Sequence, residues 1–325
     1  MPLKRSRIVE GHGRVVVTGG LGFIGSHLVE RLASEGERVV VFDNLTNGRL
    51  ENLRTSVDSR RVEIVEGDIR EYNQVERVVS GARIVIHLAA MVSVTESLEN
   101  PSLATEINVA GTINVLNACV AEKASRLVFA SSAAVYGDLR PPLREDMAPS
   151  PLSPYGASKA AGESYCKAFS QSYGLETVIL RLFNVYGPRS STGPYSGVMA
   201  KFAEAIKKRD PLTIFGGSQT RDFVHVRDAV DAIQLAMKTN KANGDVFNVG
   251  TAKPITINHL AALFLHVAGV KKRNVLHQAP RKSDVKHSYA DIGKAERELG
   301  YTPRVELENG VKGYLSWYLG KRLQS

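Results

Sequence analysis

The chain has 325 residues, of which 43% are hydrophobic and 23% are charged, and its formal net charge is +9. This composition is typical of a globular protein, and the length allows one large domain or two smaller ones. No apolar run reaches the ~18–20 residues that cross a bilayer, and the N-terminal segment lacks the apolar core of a signal peptide, so we expect a cytoplasmic protein. The basic residues are scattered without interleaved aromatic residues, which favours an anionic small substrate over nucleic acid.

The first half of the chain alternates predicted strands with predicted helices. Runs rich in β-branched residues predict strands at 14–20, 38–45, 62–69, 82–90, 125–137 and 176–187. Helical spacing predicts helices that include 21–36, 104–123 and 155–173. Because strands that alternate with helices form parallel sheets covered on both faces, we predict an α/β fold with a Rossmann-type doubly wound parallel sheet.

After residue 187 the pattern becomes irregular, with a turn-rich loop at 188–197 followed by short strands and helices. We expect residues 1–187 to form a first domain whose sheet is completed by a strand within 222–250. Residues 188–325 are expected to form a smaller mixed α/β lobe that is interwoven with the first domain. Cys119 and Cys166 lie far apart in predicted helices, so we predict buried free thiols and no metal site.

Glycines follow the first predicted strand and open the first helix. In "TGGLGFIG", Gly20, Gly22 and Gly25 fit G-x-G-x-x-G, and Gly19 with the latter two fits G-x-x-G-x-x-G equally well. Glycines here let the backbone approach a pyrophosphate, and the helix N-terminus supplies free N–H groups and the positive end of its dipole. In this position the motif predicts a dinucleotide site.

Acidic residues end the second and third predicted strands. A carboxylate at Asp43 can accept hydrogen bonds from the adenosine ribose and repel a 2′-phosphate, which favours NAD over NADP. The alternative is that Asp43 only begins a turn in "DNLTNG". Asp68 is interpreted either as an adenine contact or as a structural cap. The "HLAA" segment at 87–90 ends strand four and is expected to pass along the dinucleotide.

Tyr155 and Lys159 lie four residues apart in "SPYGASK", and therefore on one face of a predicted helix. A nearby cation lowers the pKa of a phenol, and a phenolate is a base. Ser132, at the end of the fifth strand, is the candidate hydroxyl that touches both the phenolate and a substrate. Alone, such a pair is more often part of a solvated surface. Together with NAD⁺, it predicts proton removal from an alcohol while hydride leaves its carbon.

The sequence resembles the extended short-chain dehydrogenase/reductases, and among them the UDP-sugar 4-epimerases. The resemblance covers nearly the whole chain and is carried, in family order, by "VTGGLGFIGSHLVERL", "VFDNLTNG", "GDIR", "HLAA", "NVAGTINVL", "SSAAVYG", "YGASK", "RLFNVYGPR", "RDFVHVRD" and "SYADIGKAERELGY". It implies that residues 1–187 bind NAD and that residues 188–325 bind a nucleotide sugar. It also implies a homodimer formed through the helices at 104–123 and 155–173.

The resemblance implies an isomerase that inverts C4 of a UDP-hexose, with UDP-glucose and UDP-galactose as the first candidates. Tyr155 would take the proton of the 4-OH and share it with Ser132, while NAD⁺ takes the C4 hydride. The resulting 4-keto sugar would rotate and receive the hydride on its other face. Binding energy from the remote UDP would hold the sugar while its ring turns.

The resemblance also implies the contacts with the nucleotide. Arg221 and Arg281 would grip the diphosphate, which suits the planar fork of a guanidinium, although each arginine alone is more often in a surface ion pair. Asn184 would contact the sugar diphosphate. Phe215 would lie against the uracil, and Asp284 would bind the uridine ribose.

Asn108 is implied to position active-site backbone or the side of Lys159. The other expected cofactor contacts are Phe23, Ile24, Asn44, Gly48, Ile69, Leu88, Ala89, Ala90, Ser131 and Phe183. The other expected substrate contacts are Val198, Thr213 and Ser288.

Departures from the family pattern limit the reactions that the enzyme is expected to catalyse. Ala133 and Ala134 stand where the sugar-nucleotide dehydratases carry an Asp-Glu pair, and the glucuronate decarboxylases usually have glutamate at Ala134. Methyl groups cannot move protons, so dehydration and decarboxylation are disfavoured. Val92 replaces a lysine found in many epimerases. Residues 281–284 read Arg-Lys-Ser-Asp instead of Arg-Pro-Gly-Asp, so we expect a differently shaped loop.

The sequence does not decide which sugar the UDP-sugar substrate carries. A bulky residue at the position of Ser288 narrows the pocket of some 4-epimerases, so a serine leaves room for UDP-GlcNAc and UDP-GalNAc unless Tyr289 fills the space. A uronate, such as UDP-glucuronate or UDP-galacturonate, is a third option that would need a cation or hydroxyls near C6. A catalytically silent NAD-binding regulatory protein is disfavoured because Ser132, Tyr155 and Lys159 are all present.

Overall fold

The structure is a computed structural model, and it describes residues 13–53, 60–190, 196–270, 275–280 and 285–320. Its strands, in chain order, are β1 (Arg14–Thr18), β2 (Arg38–Asp43), β3 (Val62–Glu66), β4 (Ala82–His87), β5 (Arg126–Ser132), β6 (Glu176–Leu182), β7 (Asn184–Tyr186), β8 (Leu212–Phe215), β9 (Thr220–His225), β10 (Asn243–Val249), β11 (Pro254–Thr256), β12 (Val275–Gln278) and β13 (His287–Ser288).

The α-helices are α1 (Phe23–Ser34), α2 (Tyr72–Val79), α3 (Val94–Glu99), α4 (Pro101–Thr105), α5 (Gly111–Ala121), α6 (Pro154–Tyr173), α7 (Val198–Lys208), α8 (Val226–Lys238), α9 (Ile257–Val267), α10 (Gly293–Leu299) and α11 (Leu307–Leu319). A π-helical segment, Glu106–Ala110, joins α4 to α5, and 3₁₀ turns cover Leu50–Asn52 and Ala133–Tyr136. No helix in the described ranges is both long enough and apolar enough to span a bilayer.

Seven parallel strands form the main sheet, in the order β3-β2-β1-β4-β5-β6-β10. The order changes direction between β1 and β4, because the chain fills one side of β1 first and then returns to the other. This is the doubly wound arrangement that the alternation of strands and helices predicted. Such a reversal leaves a crevice at the carboxyl ends of the strands, where ligands of open α/β sheets bind.

Both faces of the main sheet are buried except at the edge strand β3, as the near-continuous apolar strands predict. Within β1, Val15 and Val17 belong to one core cluster while Val16 belongs to another, as the two-residue period of a strand requires. Side chains of α1 and α8 fill the first cluster, and those of α2, α5 and α6 fill the second. Cys119 and Cys166 are free and buried in the second cluster, which confirms the prediction for the thiols.

The smaller part of the structure has its own sheets and its own core. Strands β7, β11 and β13 all pair with β9, and β8 pairs with β12. Helices α7, α9 and α11 pack around a third cluster, where Phe264 contacts Phe202 and Tyr314 with ring centroids 5.6 and 6.5 Å apart. These elements bring residues 184–186, 220–225 and 287–288 together beside the main sheet.

Three predicted elements differ from the observed ones. The strand predicted at 176–187 ends at Leu182, because Phe183 N–H donates to Val249 O and Asn184 then pairs with Phe223 in the smaller sheet. The helix predicted at 104–123 begins earlier and contains the π-helical segment. The segment 125–137, predicted as a strand that runs into a loop, forms a strand to Ser132 and then a 3₁₀ turn. Within 222–250, only β10 joins the main sheet, since β9 belongs to the smaller one.

Candidate active site

The glycine-rich segment forms a tight cradle between β1 and α1. Gly19 has φ +69°, a left-handed conformation, and a Cβ there would lie 2.8 Å from the backbone nitrogen of Ala89. A Cβ on Gly25 would overlap the carbonyl oxygen of Gly19 and lie 2.7 Å from Gly20 Cα. Gly22 is the N-cap of α1 and supplies no side-chain cap, so this helix end directs uncapped N–H groups out of the cradle. The sequence predicted this arrangement.

Asp43 ends β2 and is buried beside the cradle. Its Oδ2 accepts a hydrogen bond from Leu21 N–H at 3.0 Å, and its Oδ1 accepts one from Leu45 N–H at 2.9 Å. A Cβ on Gly48 would lie 2.5 Å from Oδ1, so the following loop closes against the carboxylate. Burial raises the pKa of Asp43, and the two backbone hydrogen bonds lower it by less. Asp43 therefore begins a turn and also anchors the glycine-rich segment.

Asp68 follows β3 and joins the loops after β2 and β3. Its Oδ2 accepts from Asn44 Nδ2 at 3.1 Å, and its Oδ1 accepts from the backbone N–H of Arg70 at 2.9 Å. The Arg70 guanidinium lowers the pKa of Asp68 to about 2. Ile69 is buried next to it. These hydrogen bonds hold together the loops after β2 and β3, and both interpretations of Asp68, as an adenine contact and as a structural cap, stay predictions.

Residues 88–90 follow β4 and are half-buried opposite the glycine-rich segment. A chain of hydrogen bonds fixes them: Ala89 N–H donates to Thr18 Oγ1 at 3.2 Å, and Thr18 Oγ1 lies 2.7 Å from His87 Nδ1. His87 Nε2 lies 3.0 Å from Thr112 Oγ1, which donates to Asn108 O at 2.7 Å. Complete burial lowers the pKa of His87 to about 3, so its ring is neutral and links two hydroxyls.

Asn108 is buried in the π-helical segment and ties two loops together. Its side chain accepts from Met91 N–H at 2.8 Å and donates to Met91 O at 2.9 Å. The same Nδ2 donates to Ser158 Oγ at 2.9 Å, and Ser158 Oγ donates to Tyr155 O at 2.8 Å. Asn108 therefore positions the chain after β4 against the helix of Tyr155, which matches its predicted positioning role.

Ser132, Tyr155 and Lys159 converge at the carboxyl end of β5. Helix α6 begins at Pro154, where Ser153 Oγ accepts from Gly156 N–H at 3.1 Å and Ser97 Oγ accepts from Tyr155 N–H at 3.1 Å. These contacts fix the first turn, and the hydroxyl of Ser132 lies close enough to the phenol of Tyr155 to lower its pKa. Lys159 lies on the same face of the helix, and its ammonium group donates to Ala130 O at 2.8 Å.

The pKa values differ from the expectation that Lys159 lowers the pKa of the Tyr155 phenol. In the protein chain the pKa of Tyr155 is raised, because burial outweighs the lowering effect of the hydrogen bond with Ser132. Burial also lowers the pKa of Lys159 to about 8, so its charge is only marginally favoured near neutral pH. Lys159 on its own does not make the phenol acidic here. The spacing of the two residues predicted their common face but not the cost of burying them.

The cofactor contacts predicted from the sequence lie along one edge of the main sheet. They follow successive strands: residues 19–25 after β1, 43–48 after β2, 68–69 after β3, 88–90 after β4 and 131–132 at the end of β5. Phe183 follows β6 and is buried, with its ring 6.4 Å from that of Tyr136. The side-chain-free cradle at Gly19, Gly22 and Gly25 fits a dinucleotide pyrophosphate.

The predicted substrate contacts lie in the smaller sheets. Asn184 is exposed at the start of β7, whereas Arg221 and Ser288 are register neighbours on β9 and β13. Arg221 Nη1 donates to Thr220 O at 2.8 Å. Phe215 and Thr213 lie on β8, in the separate two-stranded sheet, and Val198 begins α7. Arg281 and Asp284 lie outside the described residues.

Sequence reasoning did not assign the polar groups behind the site. Thr18 and His87 fix the loop after β4, and Ser97 and Ser153 fix the start of α6. A serine before proline is a recognisable helix start and could have identified Ser153. In the parts of the chain that are described, no group of three or more His, Cys, Asp or Glu side chains is arranged to hold a metal ion.

The fold and this site define a dinucleotide-dependent enzyme of the short-chain dehydrogenase type. The sequence profile of the NAD dependent epimerase/dehydratase family matches residues 15–250. The chain is 36% identical over 312 residues to the UDP-glucose 4-epimerase of Mycolicibacterium smegmatis, covering 95% of this chain and 99% of that one. It is 33% identical over 331 residues to UDP-glucuronate 4-epimerase 2 of Arabidopsis thaliana, covering 94% of this chain and 76% of that one.

A solved structure is similar over almost the whole fold. It is the UDP-N-acetylglucosamine 4-epimerase of Methanobrevibacter ruminantium M1 in complex with UDP-N-acetylmuramic acid, with a TM-score of 0.90 and 35% identity. The similarity covers 95% of this chain and 99% of that one. The chain therefore belongs to the NAD dependent epimerase/dehydratase family, which confirms both the predicted family and the predicted cofactor, NAD.

Proposed function

We propose that the protein is an isomerase that inverts C4 of a UDP-sugar by a redox cycle at that carbon. The observation that carries this proposal is the placement of Ser132, Tyr155 and Lys159 at the carboxyl end of β5, at the sheet edge that also holds the glycine-rich cradle. An acid–base pair beside a nicotinamide site is suited to an alcohol–ketone interconversion. Bound NAD⁺ would supply the hydride acceptor for this chemistry.

In this proposal each acid–base residue has a separate role. Tyr155 takes the proton of the sugar 4-OH and later returns it, and Ser132 shares that proton through its hydrogen bond. Lys159, held by the Ala130 carbonyl, presents a positive charge that favours the phenolate form. Burial of both Tyr155 and Lys159 keeps water from the reacting proton. Ala133 and Ala134 supply no second acid or base, so the keto sugar is not dehydrated.

We propose that the nucleotide is held by the smaller lobe, residues 188–325, while residues 1–187 hold the cofactor. Arg221, with Arg281 and Asp284 outside the described residues, would bind the diphosphate and ribose. Asn184 would contact the sugar diphosphate where the chain leaves the main sheet at Leu182. A substrate held by its remote UDP leaves its hexose free to turn between the two hydride transfers.

UDP-glucose and UDP-galactose are the first substrates we propose, because relatives of this chain act on UDP-glucose and no bulky side chain stands at Ser288. The small side chain there also supports acceptance of UDP-GlcNAc and UDP-GalNAc, in agreement with the similar solved structure. UDP-glucuronate or UDP-galacturonate is the second candidate, which the similarity to the Arabidopsis thaliana enzyme favours.

Purified protein tests this function directly, with UDP-glucose, UDP-galactose, UDP-GlcNAc, UDP-GalNAc and UDP-glucuronate assayed separately and without added NAD. We expect C4 inversion of at least one of them. Tyr155→Phe should lower turnover by about 10²–10⁴-fold while the bound NAD content stays unchanged, because it removes only the proton-transfer group. Near-normal turnover in this variant would exclude Tyr155 as the base.

We further propose a homodimer in which α6 and the helix at 104–123 pack against the same helices of a second copy. Tyr165 and Tyr173 on α6 are 40% and 62% exposed, and Leu98 on the adjoining α3 is 57% exposed. Such large apolar side chains favour an interface between subunits. Light scattering after gel filtration should give twice the chain mass of 35.4 kDa; the mass of a single chain would exclude the dimer.

A further inference from the structure

An ion pair lies buried directly behind the acid–base residues. Arg181 Nη2 donates to Glu163 Oε2 at 2.7 Å, and Arg181 Nε donates to Glu163 Oε1 at 2.9 Å. The two side chains are only 1% and 3% exposed. Oε1 also accepts a hydrogen bond from Ser131 Oγ at 2.5 Å, so one carboxylate binds both a guanidinium and a hydroxyl.

The position of this pair connects the two elements that carry the acid–base residues. Ser131 and Arg181 are register neighbours on β5 and β6, and Glu163 reaches them from α6. Ser131 immediately precedes Ser132, and Glu163 lies one helical turn after Lys159 on the same face. A single carboxylate therefore fixes the strand end of Ser132 relative to the helix of Tyr155 and Lys159.

Stability alone gives little reason for such a pair. Removing two charges from water costs several kcal/mol per ion, and well-packed apolar residues in the same place are often as stable or more stable. Packing already holds this helix against the sheet, since a Cβ on Gly162 would lie 2.5 Å from the Phe129 ring. Packing therefore explains the contact between α6 and the main sheet, but it does not explain why the two buried side chains are charged.

We propose that Glu163 and Arg181 are positioning residues for the acid–base reaction. Glu163 holds the Ser131–Ser132 backbone at the distance from Tyr155 that proton sharing needs, and its negative charge favours the ammonium form of Lys159. Arg181 orients both oxygens of Glu163 through its two hydrogen bonds. This inference rests on the proposed function, because the acid–base residues are the groups that the pair positions.

The electrostatic surroundings of Lys159 agree with this role. The groups that act on its ammonium are Glu163 and Cys166 on its own helix, and His87 on β4, which is neutral. Burial lowers the pKa of Lys159, while the Cys166 and Glu163 side chains raise it. Because burial also raises the pKa of the Cys166 thiol, that thiol stays neutral near pH 7, and Glu163 is the carboxylate among these groups.

Glu163→Gln tests the proposal, because glutamine keeps the size and most hydrogen bonds of glutamate but removes the charge. The matched control is Glu176→Gln. The Arg126–Glu176 pair joins the same two strands at their opposite ends, with Arg126 Nη2 2.6 Å from Glu176 Oε2. Each variant is assayed for kcat and KM between pH 6 and 10, for bound NAD and for Tm, on whichever UDP-sugar the unmodified protein epimerises.

We expect Glu163→Gln to lower kcat by about 10²-fold with little change in KM or NAD content, as displacement of reacting groups does. The loss of kcat at high pH should begin at a lower pH than in the unmodified protein, because the ammonium of Lys159 has lost a favourable charge. Glu176→Gln should leave both kcat and this pH dependence unchanged. An unmodified kcat and pH profile in Glu163→Gln would overturn the proposal.

Two further measurements keep the proposal testable if Glu163→Gln folds poorly. The double variant Glu163→Met, Arg181→Met replaces the pair by apolar groups and should fold, yet it should still show the fall in kcat; full activity would overturn the proposal. Tyrosinate absorbance, measured as the difference from Tyr155→Phe, should show that Tyr155 ionises at a higher pH in the double variant. If the unmodified protein epimerises none of the sugars, the proposed function fails, and this absorbance test still decides the positioning role.

Discussion

Replacing Gly25 by alanine tests the cradle between β1 and α1, and its effect can be worked out from the structure. The added Cβ would overlap the carbonyl oxygen of Gly19 and lie 2.7 Å from Gly20 Cα, about 1 Å inside normal carbon–carbon contact. Both neighbours are backbone, so the segment itself must move. Overpacking of this kind costs roughly 1–3 kcal/mol. We expect about a tenfold or greater loss of NAD affinity, because the displaced segment must return to its strained position to bind NAD, and each ~1.4 kcal/mol of that cost is a factor of ten.

The assay is titration of NAD into nucleotide-free protein, with Tm measured on the same samples. Gly313→Ala is the matched control, because Gly313 also lies within a helix but a Cβ there meets nothing within 4 Å. Alanine at this exposed position should stabilise the helix by roughly 0.5–1 kcal/mol and leave NAD binding unchanged. Unaltered NAD affinity in Gly25→Ala would show that the cradle tolerates a methyl group, contrary to this prediction.

Two other predictions follow from buried side chains. Ser288→Tyr should lower turnover of UDP-GlcNAc and UDP-GalNAc by about tenfold more than that of UDP-glucose, because a phenol fills the space that the serine leaves; equal loss on all sugars would exclude a size gate. His87 has a pKa lowered to about 3 by burial, so below its ordinary pKa near 6.5 the unfolded chain binds a proton that the folded chain does not. The free energy of unfolding should therefore fall by about 1 kcal/mol between pH 7 and pH 5.5 because of His87. Urea unfolding should show this loss in the unmodified protein and not in His87→Gln. An identical pH dependence in the two proteins would show that the ring is already charged or exposed.

Much of the main sheet could be predicted because its signals are local. Each β-branched run is followed by the residue that ends it, such as Gly19 after β1 and Asp43 at the end of β2. Parallel strands bring their carboxyl ends to one edge, so residues far apart in sequence could be assigned to one site. Ser132 and Tyr155 illustrate this, since they come from a strand and a later helix and lie close together in the structure.

Other features depend on burial and long-range contact, which the local sequence does not reveal. Glu163 and Arg181 read as ordinary charged residues of a helix and a strand, yet both are buried. The break at Leu182 depends on pairing with β9, some forty residues later. The raised pKa of Tyr155 depends on how deeply the phenol is covered. Each of these features depends on packing against residues that are distant in the sequence.

The central claim is that the C4 hydrogen of the sugar leaves and returns to the same carbon beside Tyr155. A substrate sugar deuterated at C4, incubated with the purified protein in ordinary water, tests this directly. We expect the inverted product, analysed by NMR and mass spectrometry, to keep its deuterium at C4. Replacement of that deuterium by solvent hydrogen during inversion would contradict it.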